Sequence, residues 1–453
     1  MRDVGKQAFN YMKSVGLYTL GCKVSQYETE AIAEEFLKHG FAIREFDEPC
    51  DIYVINTCTV TAESDRKCRQ VIRRAIRQNP DAKVLICGCY SQRTPEELEA
   101  IDGVSAVIGS GDKLSLVSVA KRLLSGLSPF ADREGILRVT DIDAEPFEEM
   151  KISGAPRTRV YVKIEDGCEC RCTYCAIPSA RGRVRSKPVE RVVDEVRELC
   201  ESGVYEVVLT GIETGSYGVD FEEKTSLADL LVLLDGMEFA KRIRLGSLAP
   251  ELIGEAFCDK VKGLKSLAPH FHVSVQSGSD SVLRGMKRRY NRDMALENIK
   301  RLRDSIPGAQ FTTDLMVGFP GESEEDFQDT VRFVREAQFL DCHVFAYSKR
   351  KNTPAAEYAG QIPEPVKRQR SEELIKVCRQ VQAEVLQRIV DDGKLLSCVL
   401  ETKKDGGYTG HSDSFAEVFA QVSDGDLSAD LKGAVRLVKP LYHKDGVIYG
   451  VIV

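Results

Sequence analysis

Residues 159–175 read RVYVKIEDGCECRCTYC, and the interpretation of the chain turns on them. RVYVKIEDG is rich in β-branched and apolar residues and closes on a glycine, the pattern of a strand running into a loop. The loop then presents Cys168, Cys172 and Cys175 in C-x-x-x-C-x-x-C spacing. Three thiolates on so short a loop suit three irons of a [4Fe–4S] cube and leave the fourth iron open to a small molecule. A zinc site would ask for a fourth Cys or His in a paired pattern. Cys170 lies between two of the three, where the loop would strain to present it, and is read as a bystander.

Downstream, the strand–helix alternation continues through YEVVLTGI, KRIRLGSL, HFHVSVQ, FTTDLMVGF and CHVFAYS. Six such units, over residues 154–384, predict an incomplete (β/α)6 barrel rather than an open sheet. Upstream, over residues 15–125, GLYTLGC, DIYVINTC, AKVLICGC and VSAVIGS each lead into a helical pattern. That is a doubly wound, Rossmann-like α/β unit with a parallel sheet. The stretch 125–157 is richer in Gly, Pro and acidic residues, has no sustained period, and reads as a linker. A long amphipathic helix is expected from Pro365 to about Val390. Over residues 387–453, strands separated by DGG, SDGD and KDG turns predict a small C-terminal β-barrel.

The composition agrees with several domains in 453 residues. A net charge of −7 excludes a wholly basic nucleic-acid binder, so any such contact must come from local patches. The 15 cysteines are clustered rather than spread as a disulfide framework, which reads as thiolate ligands kept reduced in a cytoplasm. The first 16 residues, MRDVGKQAFNYMKSVG, hold no apolar run of signal-peptide length. No stretch approaches a membrane helix. The expected location is cytoplasmic, with no membrane partner.

Cys22, Cys58 and Cys89 each end a predicted strand. The carboxyl ends of parallel strands share one edge, so three thiolates distant in sequence meet there and offer a second cluster site. Cys87 competes with Cys89, but Gly88 before Cys89 matches Gly21 before Cys22 and favours Cys89. Cys50, Cys68, Cys200, Cys258, Cys342, Cys378 and Cys398 are isolated and read as structural.

The triad after the first barrel strand resembles the radical S-adenosylmethionine superfamily. The two triads with LGCKVSQYETE, NTCTV, CGCYSQ, DGCECRCTYC, IPSARGRVRS, LTGIETGSYG, VSVQSGSDSVLRGMKRRY, DLMVGFPGESEEDF and FAYSKRKNTPAA resemble its methylthiotransferases along nearly the whole chain. The resemblance implies two [4Fe–4S] clusters and S-adenosyl-L-methionine as cofactors, with insertion of a methylthio group at an unreactive C–H bond. The Cys168, Cys172 and Cys175 cluster would generate the radical, and the Cys22, Cys58 and Cys89 cluster would supply sulfur. Within the family the motifs look most like the branch acting on N6-threonylcarbamoyladenosine at tRNA position 37. The chain departs from that branch at Ser25, Asn352 and Glu213. The resemblance also implies a TRAM RNA-binding domain at the C-terminus, and an electron donor such as flavodoxin or ferredoxin. The oligomeric state is open.

Further candidates follow from position and charge. Thr210, Gly211, Glu213, Ser247 and Gln276 end barrel strands and face a cofactor there; Arg288 falls on the family's usual arginine. Arg73, Arg74 and Arg77, on a helix that also carries Arg66, Lys67 and Arg69, are a candidate phosphate-binding face. Its bland alternative is a solvated helix. Arg181, Arg183 and Arg185, with Lys187, follow the cysteine loop and suggest an anionic ligand. Asp314, Ser348 and Arg350 end the last strands near substrate. Tyr408, His411 and Phe415 are candidates for contact with a base. The competing readings are the same chemistry on N6-isopentenyladenosine or on a ribosomal-protein aspartate, and a cluster-bearing redox or RNA-binding protein without methylthiolation.

Overall fold

The computed structural model describes residues 12–132, 134–154, 159–422 and 430–453. The first unit comprises β1 (Ser14–Thr19), α1 (Lys23–Lys38), β2 (Ala42–Arg44), β3 (Ile52–Thr57), α2 (Ala62–Gln78), β4 (Lys83–Gly88), β5 (Val104–Ile108), α3 (Leu116–Leu124) and β6 (Leu137–Arg138). The strands pair in parallel in the order β2-β1-β3-β4-β5-β6. Every residue of β3 is buried, as expected of a central strand covered on both faces by helices. The Rossmann-like expectation therefore holds.

The described part of the stretch read as a linker is packed. β6 joins the sheet edge, and Phe130, Ile142, Met150 and Ile152 are buried. Apolar residues scattered through an irregular strap carry no period, so pattern reading misses them.

The second unit contains β7 (Arg159–Lys163), β8 (Glu206–Thr210), β9 (Arg242–Leu245), β10 (Ser247–Leu248), β11 (His270–Gln276), β12 (Gln310–Val317) and β13 (Asp341–Ala346). Hydrogen bonds join β9-β8-β7 and β10-β11-β12-β13 as two parallel arcs. The third expected strand is cut at Gly246, whose N–H donates back to the Leu209 carbonyl at 2.7 Å. A Cβ at that point would lie 2.7 Å from Thr214 Oγ1. The result is the incomplete barrel read from the sequence. Among the outer helices, capping boxes start α4 (Leu227–Asp235) with Ser226/Asp229 and α5 (Glu324–Ala337) with Ser323/Asp326. One apolar core runs from the first sheet through α1 to β7 and the barrel strands.

The expected long helix is α6 (Glu364–Asp392). It buries Leu374, Val377, Val381 and Val385 against the last barrel strands and the C-terminal unit. That unit is a closed barrel of β14 (Leu396–Lys404), β15 (Gly407–Ser412), β16 (Glu417–Gln421), β17 (Val435–Lys444) and β18 (Val447–Ile452), in the order β14-β15-β16-β18-β17. Among the described residues no helix is long and apolar enough to cross a membrane.

The small barrel closes the amino-terminal end of the large one. Glu206, at the start of β8, receives Arg159 Nε at 2.7 Å, Arg242 Nη1 at 3.2 Å and Arg244 Nε at 2.7 Å. Phe415 stacks on His270 with centroids 4.4 Å apart, and Arg159 and Arg244 lie over its ring at 5.4 and 5.0 Å. His411 stacks on Phe415 at 4.8 Å and bonds Glu401 through Nδ1 at 3.1 Å. Tyr408 is 2% exposed, and its hydroxyl accepts from the Leu431 N–H at 3.0 Å. This corrects the expectation that Tyr408, His411 and Phe415 contact a base: Tyr408 packs inside the small barrel, and the other two form the joint between barrels.

Burial pushes the Glu206 carboxyl up, but the guanidiniums of Arg244, Arg159 and Arg242 outweigh it and hold it at about 2, below the ordinary 4.5. A depressed carboxylate stabilises the fold above pH 4.5, and that contribution fades as pH falls through 2. Glu206→Gln is expected to lower the unfolding free energy by about 3 kcal/mol at neutral pH. Chemical denaturation of both proteins should show the difference shrinking below pH 4.5.

Candidate functional site

In the parallel sheet β1, β3 and β4 lie side by side, with Thr57 in register with Gly88 and Thr19 with Asn56. Cys58 and Cys89 therefore follow the strands at equivalent points, and Cys22 caps α1 beside them. The edge depends on two glycines. Gly88 has φ +100°, and a Cβ there would sit 2.5 Å from Asn56 Oδ1. Gly21 has φ +132°, and its Cβ would lie 2.9 Å from Ser25 Oγ and 3.3 Å from Cys58 Cβ. Cys22 is exposed and Cys58 buried. Burial pushes the Cys89 thiol up to about 11; Arg181 pulls it down, and Cys58 and Cys22 lie within its electrostatic reach. Cys87 is fully buried within β4, two residues before Cys89, in the apolar core.

The second triad sits on a loop pinned from two sides. Thr173 N–H donates to Met286 O at 3.1 Å and its hydroxyl to Gly285 O at 2.9 Å, while Ala355 N–H donates to Thr173 O at 2.9 Å. Arg171 takes φ +48° within the loop. Arg288 Nη1 donates to Cys172 Sγ at 3.2 Å and Nε to Tyr290 Oη at 3.0 Å. Ile177 N–H donates to Cys175 Sγ at 3.4 Å. Among the described residues no three His, Cys, Asp or Glu side chains close to the spacing of one shared ion. A cube asks for one thiolate on each of three irons, not three on one ion.

The elements that carry the two triads pack together. The short helix Cys89–Arg93 packs against the short helix Ile177–Arg181. Two arginines that charge reading misplaced or missed stand at this junction. Arg181 Nε donates to Cys89 Sγ at 3.1 Å, and its Nη1 meets Glu28 Oε1 at 2.5 Å. Arg93 Nε donates to Ser179 Oγ at 2.9 Å and its Nη2 to Lys351 O at 2.7 Å, within electrostatic reach of both Cys175 and Cys89. Its place four residues after Cys89 is the only signal the sequence holds for it.

Other expectations need correction. Arg181 is fully buried and Arg185 is 3% exposed, the latter donating to the Arg181 carbonyl at 2.6 Å. Lys187 is paired with Glu195 in the interior. These cations serve internal carboxylates and carbonyls rather than an anionic substrate; only Arg183 of the group is exposed. Ser348 Oγ accepts from Ala62 N–H at 3.2 Å, and Arg350 Nη2 donates to Thr59 Oγ1 at 2.7 Å and Asp65 Oδ2 at 2.6 Å. Both tie the last barrel strand to the loop after Cys58. On α2, Arg74 is paired with Asp47 and lies 5.3 Å over Phe46. Arg73 and Arg77 are exposed. Asn352 adopts φ +64°, the left-handed turn that asparagine tolerates.

At the carboxyl ends of the barrel strands Thr210 is 3% exposed, Ser247 is half-buried and Gln276 holds φ +68°. Burial raises the Glu213 carboxyl to about 8, and its Oε1 accepts from Ala249 N–H at 3.0 Å. Glu165, absent from the sequence-based candidates, is fully buried beside Gly211; its Oε2 accepts from Glu213 N–H at 2.9 Å and its Oε1 has no partner among the described residues. Thr214 Oγ1 is likewise unpartnered. Unsatisfied buried polar atoms beside an open thiol loop fit a polar cofactor such as S-adenosylmethionine.

Arg181→Met is expected to lower the iron content of the reconstituted protein, and Arg181→Lys to restore part of it. Iron content and electron paramagnetic resonance of the reduced, reconstituted proteins check this against Cys22→Ala.

The family model described as the Radical SAM superfamily matches residues 162–334, and that of the uncharacterized protein family UPF0004 matches residues 14–109. The chain is 37% identical over 438 residues to the threonylcarbamoyladenosine tRNA methylthiotransferase MtaB of Bacillus subtilis, covering 95% of each. It is 36% identical over 380 residues to the MtaB of Thermotoga maritima, covering 84% of this chain and 85% of that protein. It is 31% identical over 446 residues to the tRNA-2-methylthio-N(6)-dimethylallyladenosine synthase of Carboxydothermus hydrogenoformans, covering 96% and 99%. Among solved structures, the radical S-adenosylmethionine methyltransferase TsrM of Kitasatospora setae, with cobalamin and a [4Fe-4S] cluster bound, aligns with TM-score 0.57 at 18% identity, covering 76% of this chain and 77% of that one, a likeness of fold. With the triad loop inside the matched barrel, and relatives spanning nearly its full length, the chain belongs to the radical S-adenosylmethionine tRNA methylthiotransferases.

Proposed function

We propose that this chain inserts a methylthio group at C2 of N6-threonylcarbamoyladenosine in position 37 of tRNA, giving 2-methylthio-N6-threonylcarbamoyladenosine. The observation that carries the reading is the packing of the short helix that begins at Cys89 against the short helix that follows Cys175, which brings the elements bearing the two cysteine triads together. Identities of 37% and 36% to two MtaB proteins support this modified base, against 31% to the dimethylallyladenosine synthase.

Cys168, Cys172 and Cys175 would hold one [4Fe–4S] cluster, and Cys22, Cys58 and Cys89 the other. When bound, the clusters and S-adenosylmethionine supply one-electron reduction, a hydrogen-abstracting radical, and the sulfur and methyl group. The chain's own residues position and insulate. Arg288 holds positive charge against the Cys172 thiol, and Arg181 does the same for Cys89. Glu213 and the open Glu165 Oε1 offer acceptors for the cofactor's ammonium group, with Glu213, at about 8, able to give up its proton when that cation arrives. The pinned loop at Thr173 keeps the triad from drifting with respect to the facing edge.

Exposed Arg73 and Arg77, with Lys67, form the candidate tRNA face on α2. The exposed Tyr442, stacked on Tyr449 with centroids 4.9 Å apart, replaces Tyr408 as the aromatic candidate on the small barrel. The working location is the cytoplasm, with a flavodoxin or ferredoxin as electron donor.

Three measurements test this. Mass spectrometry of tRNA nucleosides from cells with and without the gene should show threonylcarbamoyladenosine gaining one methylthio group only when the gene is present. In the purified, reconstituted protein Cys168→Ala should abolish both cofactor cleavage and sulfur insertion, whereas Cys58→Ala should keep cleavage and lose insertion. A gain on dimethylallyladenosine instead would move the substrate to the other branch. Reversing Arg73 and Arg77 to Glu should weaken tRNA binding and flatten the slope of log affinity against log salt by about two.

A further inference from the structure

The loop that carries Cys168, Cys172 and Cys175 is fastened to the turn that follows the short helix Asp280–Gly285. Thr173 bonds the Gly285 and Met286 carbonyls, Arg288 Nη1 reaches Cys172 Sγ at 3.2 Å, and Arg289 Nη2 donates to the Glu169 carbonyl at 3.1 Å. This zipper sets four exposed cations side by side at the thiol loop: Arg171 on the loop itself, and Arg284, Lys287 and Arg289 on the helix and turn. Among the described residues none of the four enters an ion pair with a carboxylate. Glu169 is the exposed acid beside them. The local balance is therefore strongly positive, on a chain whose net charge is −7. Arg171 at φ +48° and Lys287 at φ +57° hold the left-handed conformation, which glycine or asparagine would adopt more easily. Long cations kept at unfavoured backbone positions point to a use for their charge.

The chemistry set out above takes in one electron for each radical formed, so a carrier must come close to this loop from outside. A protein carrier with an acidic face is repelled by the chain as a whole and drawn to this patch. The other polyanion in the system is tRNA. RNA-binding faces pair basic side chains with exposed aromatic rings on which bases stack. Here the nearby rings are turned inward: Tyr290 is buried, and Tyr174 packs against the cluster of Val282, Met286 and Phe319. A few exposed charges over a small area suit the limited, transient contacts of redox partners. Resting on the radical chemistry set out above, we propose that Arg171, Arg284, Lys287 and Arg289 form the docking surface for an acidic one-electron carrier protein. In each encounter the carrier is oxidised by one electron and the cluster held by Cys168, Cys172 and Cys175 is reduced by one; no bond is made or broken and no proton moves. The four cations speed the encounter and meet neither substrate nor S-adenosylmethionine.

The test uses the full-length protein reconstituted with iron and sulfide, and an acidic flavodoxin as the probe. Calorimetry across a salt series gives the Kd of oxidised flavodoxin for wild type and for the double variant Arg284→Glu with Lys287→Glu, with iron content measured in both. Cleavage of S-adenosylmethionine is driven in parallel by reduced flavodoxin and by dithionite, a small reductant that needs no docking. Wild-type affinity is expected to fall as salt rises, and the variant to bind about tenfold more weakly with a flatter salt dependence. KM for reduced flavodoxin should rise by a similar factor, while kcat at saturation, dithionite-driven cleavage and tRNA affinity stay as in wild type. A wild-type affinity indifferent to salt would overturn the inference without recourse to any variant. So would a variant that binds flavodoxin as wild type does, or one whose tRNA affinity falls to the same degree, which assigns the patch to RNA. Loss of dithionite-driven cleavage in a variant that keeps its iron would place these residues in the chemistry and overturn it too. Failure of loaded wild type to cleave S-adenosylmethionine with dithionite would overturn the parent reading, and this inference with it.

Discussion

A single buried carboxylate, Glu28, holds the two halves of the site together. It sits on α1 of the first sheet and is fully buried. Arg181 meets it at 2.5 Å, Lys163 at 3.1 Å and Lys113 at 3.2 Å. Lys163 ends the first barrel strand, Arg181 ends the helix after the cysteine loop, and Lys113 precedes α3. Burial alone would raise this carboxyl; the three cations drive it well below the usual glutamate range. Removing one member of such a cluster leaves uncompensated charge in the interior, which costs several kcal/mol. The same arginine that answers Glu28 reaches Cys89, so the ionic cluster sets how the first triad faces the second.

The barrel departs from a packed (β/α) interior. Its lumen is lined by charged and hydrogen-bonding groups rather than layers of branched apolar residues. His270 and His272 both bond the Thr312 hydroxyl, at 3.0 and 2.9 Å, and His272 continues to Asp314. The Glu206 cluster and the stacked Phe415 seal the far end. A polar lumen closed below and flanked above by two thiol edges is suited to a polar, partly dehydrated ligand. Its cost in desolvation is offset by dense internal pairing.

The corrections share one cause. Arg181, Arg185 and Lys187 read as an anion-binding run because they are basic and follow the cysteine loop. Their partners, Glu28, Asp166, Glu195 and a set of carbonyls, lie on other elements. Ser348 and Arg350 likewise end a strand as a substrate contact would, yet are spent on Ala62, Thr59 and Asp65 nearly three hundred residues earlier. His411 and Phe415 have the composition of a base-stacking pair and are used against a protein surface instead. Charge and aromaticity are properties of a residue; what they meet is a property of the fold.

The parts whose physics is local were legible in the order of the residues. Strand and helix periods placed the Rossmann-like sheet, the barrel strands and the closed C-terminal barrel, because burial of one face imposes its period on the chain. The spacing of Cys168, Cys172 and Cys175 named a three-thiol loop, and the cysteines after β1, β3 and β4 named a second, because parallel strands share an edge. Long-range pairing settled which charges face solvent and which are bolts, that the described part of the strap between the first two units is packed, and that Arg93 stands at the site. Those outcomes depend on pairings between distant segments, whose energy is set by burial and mutual distance, and neither is written in any stretch of neighbouring residues.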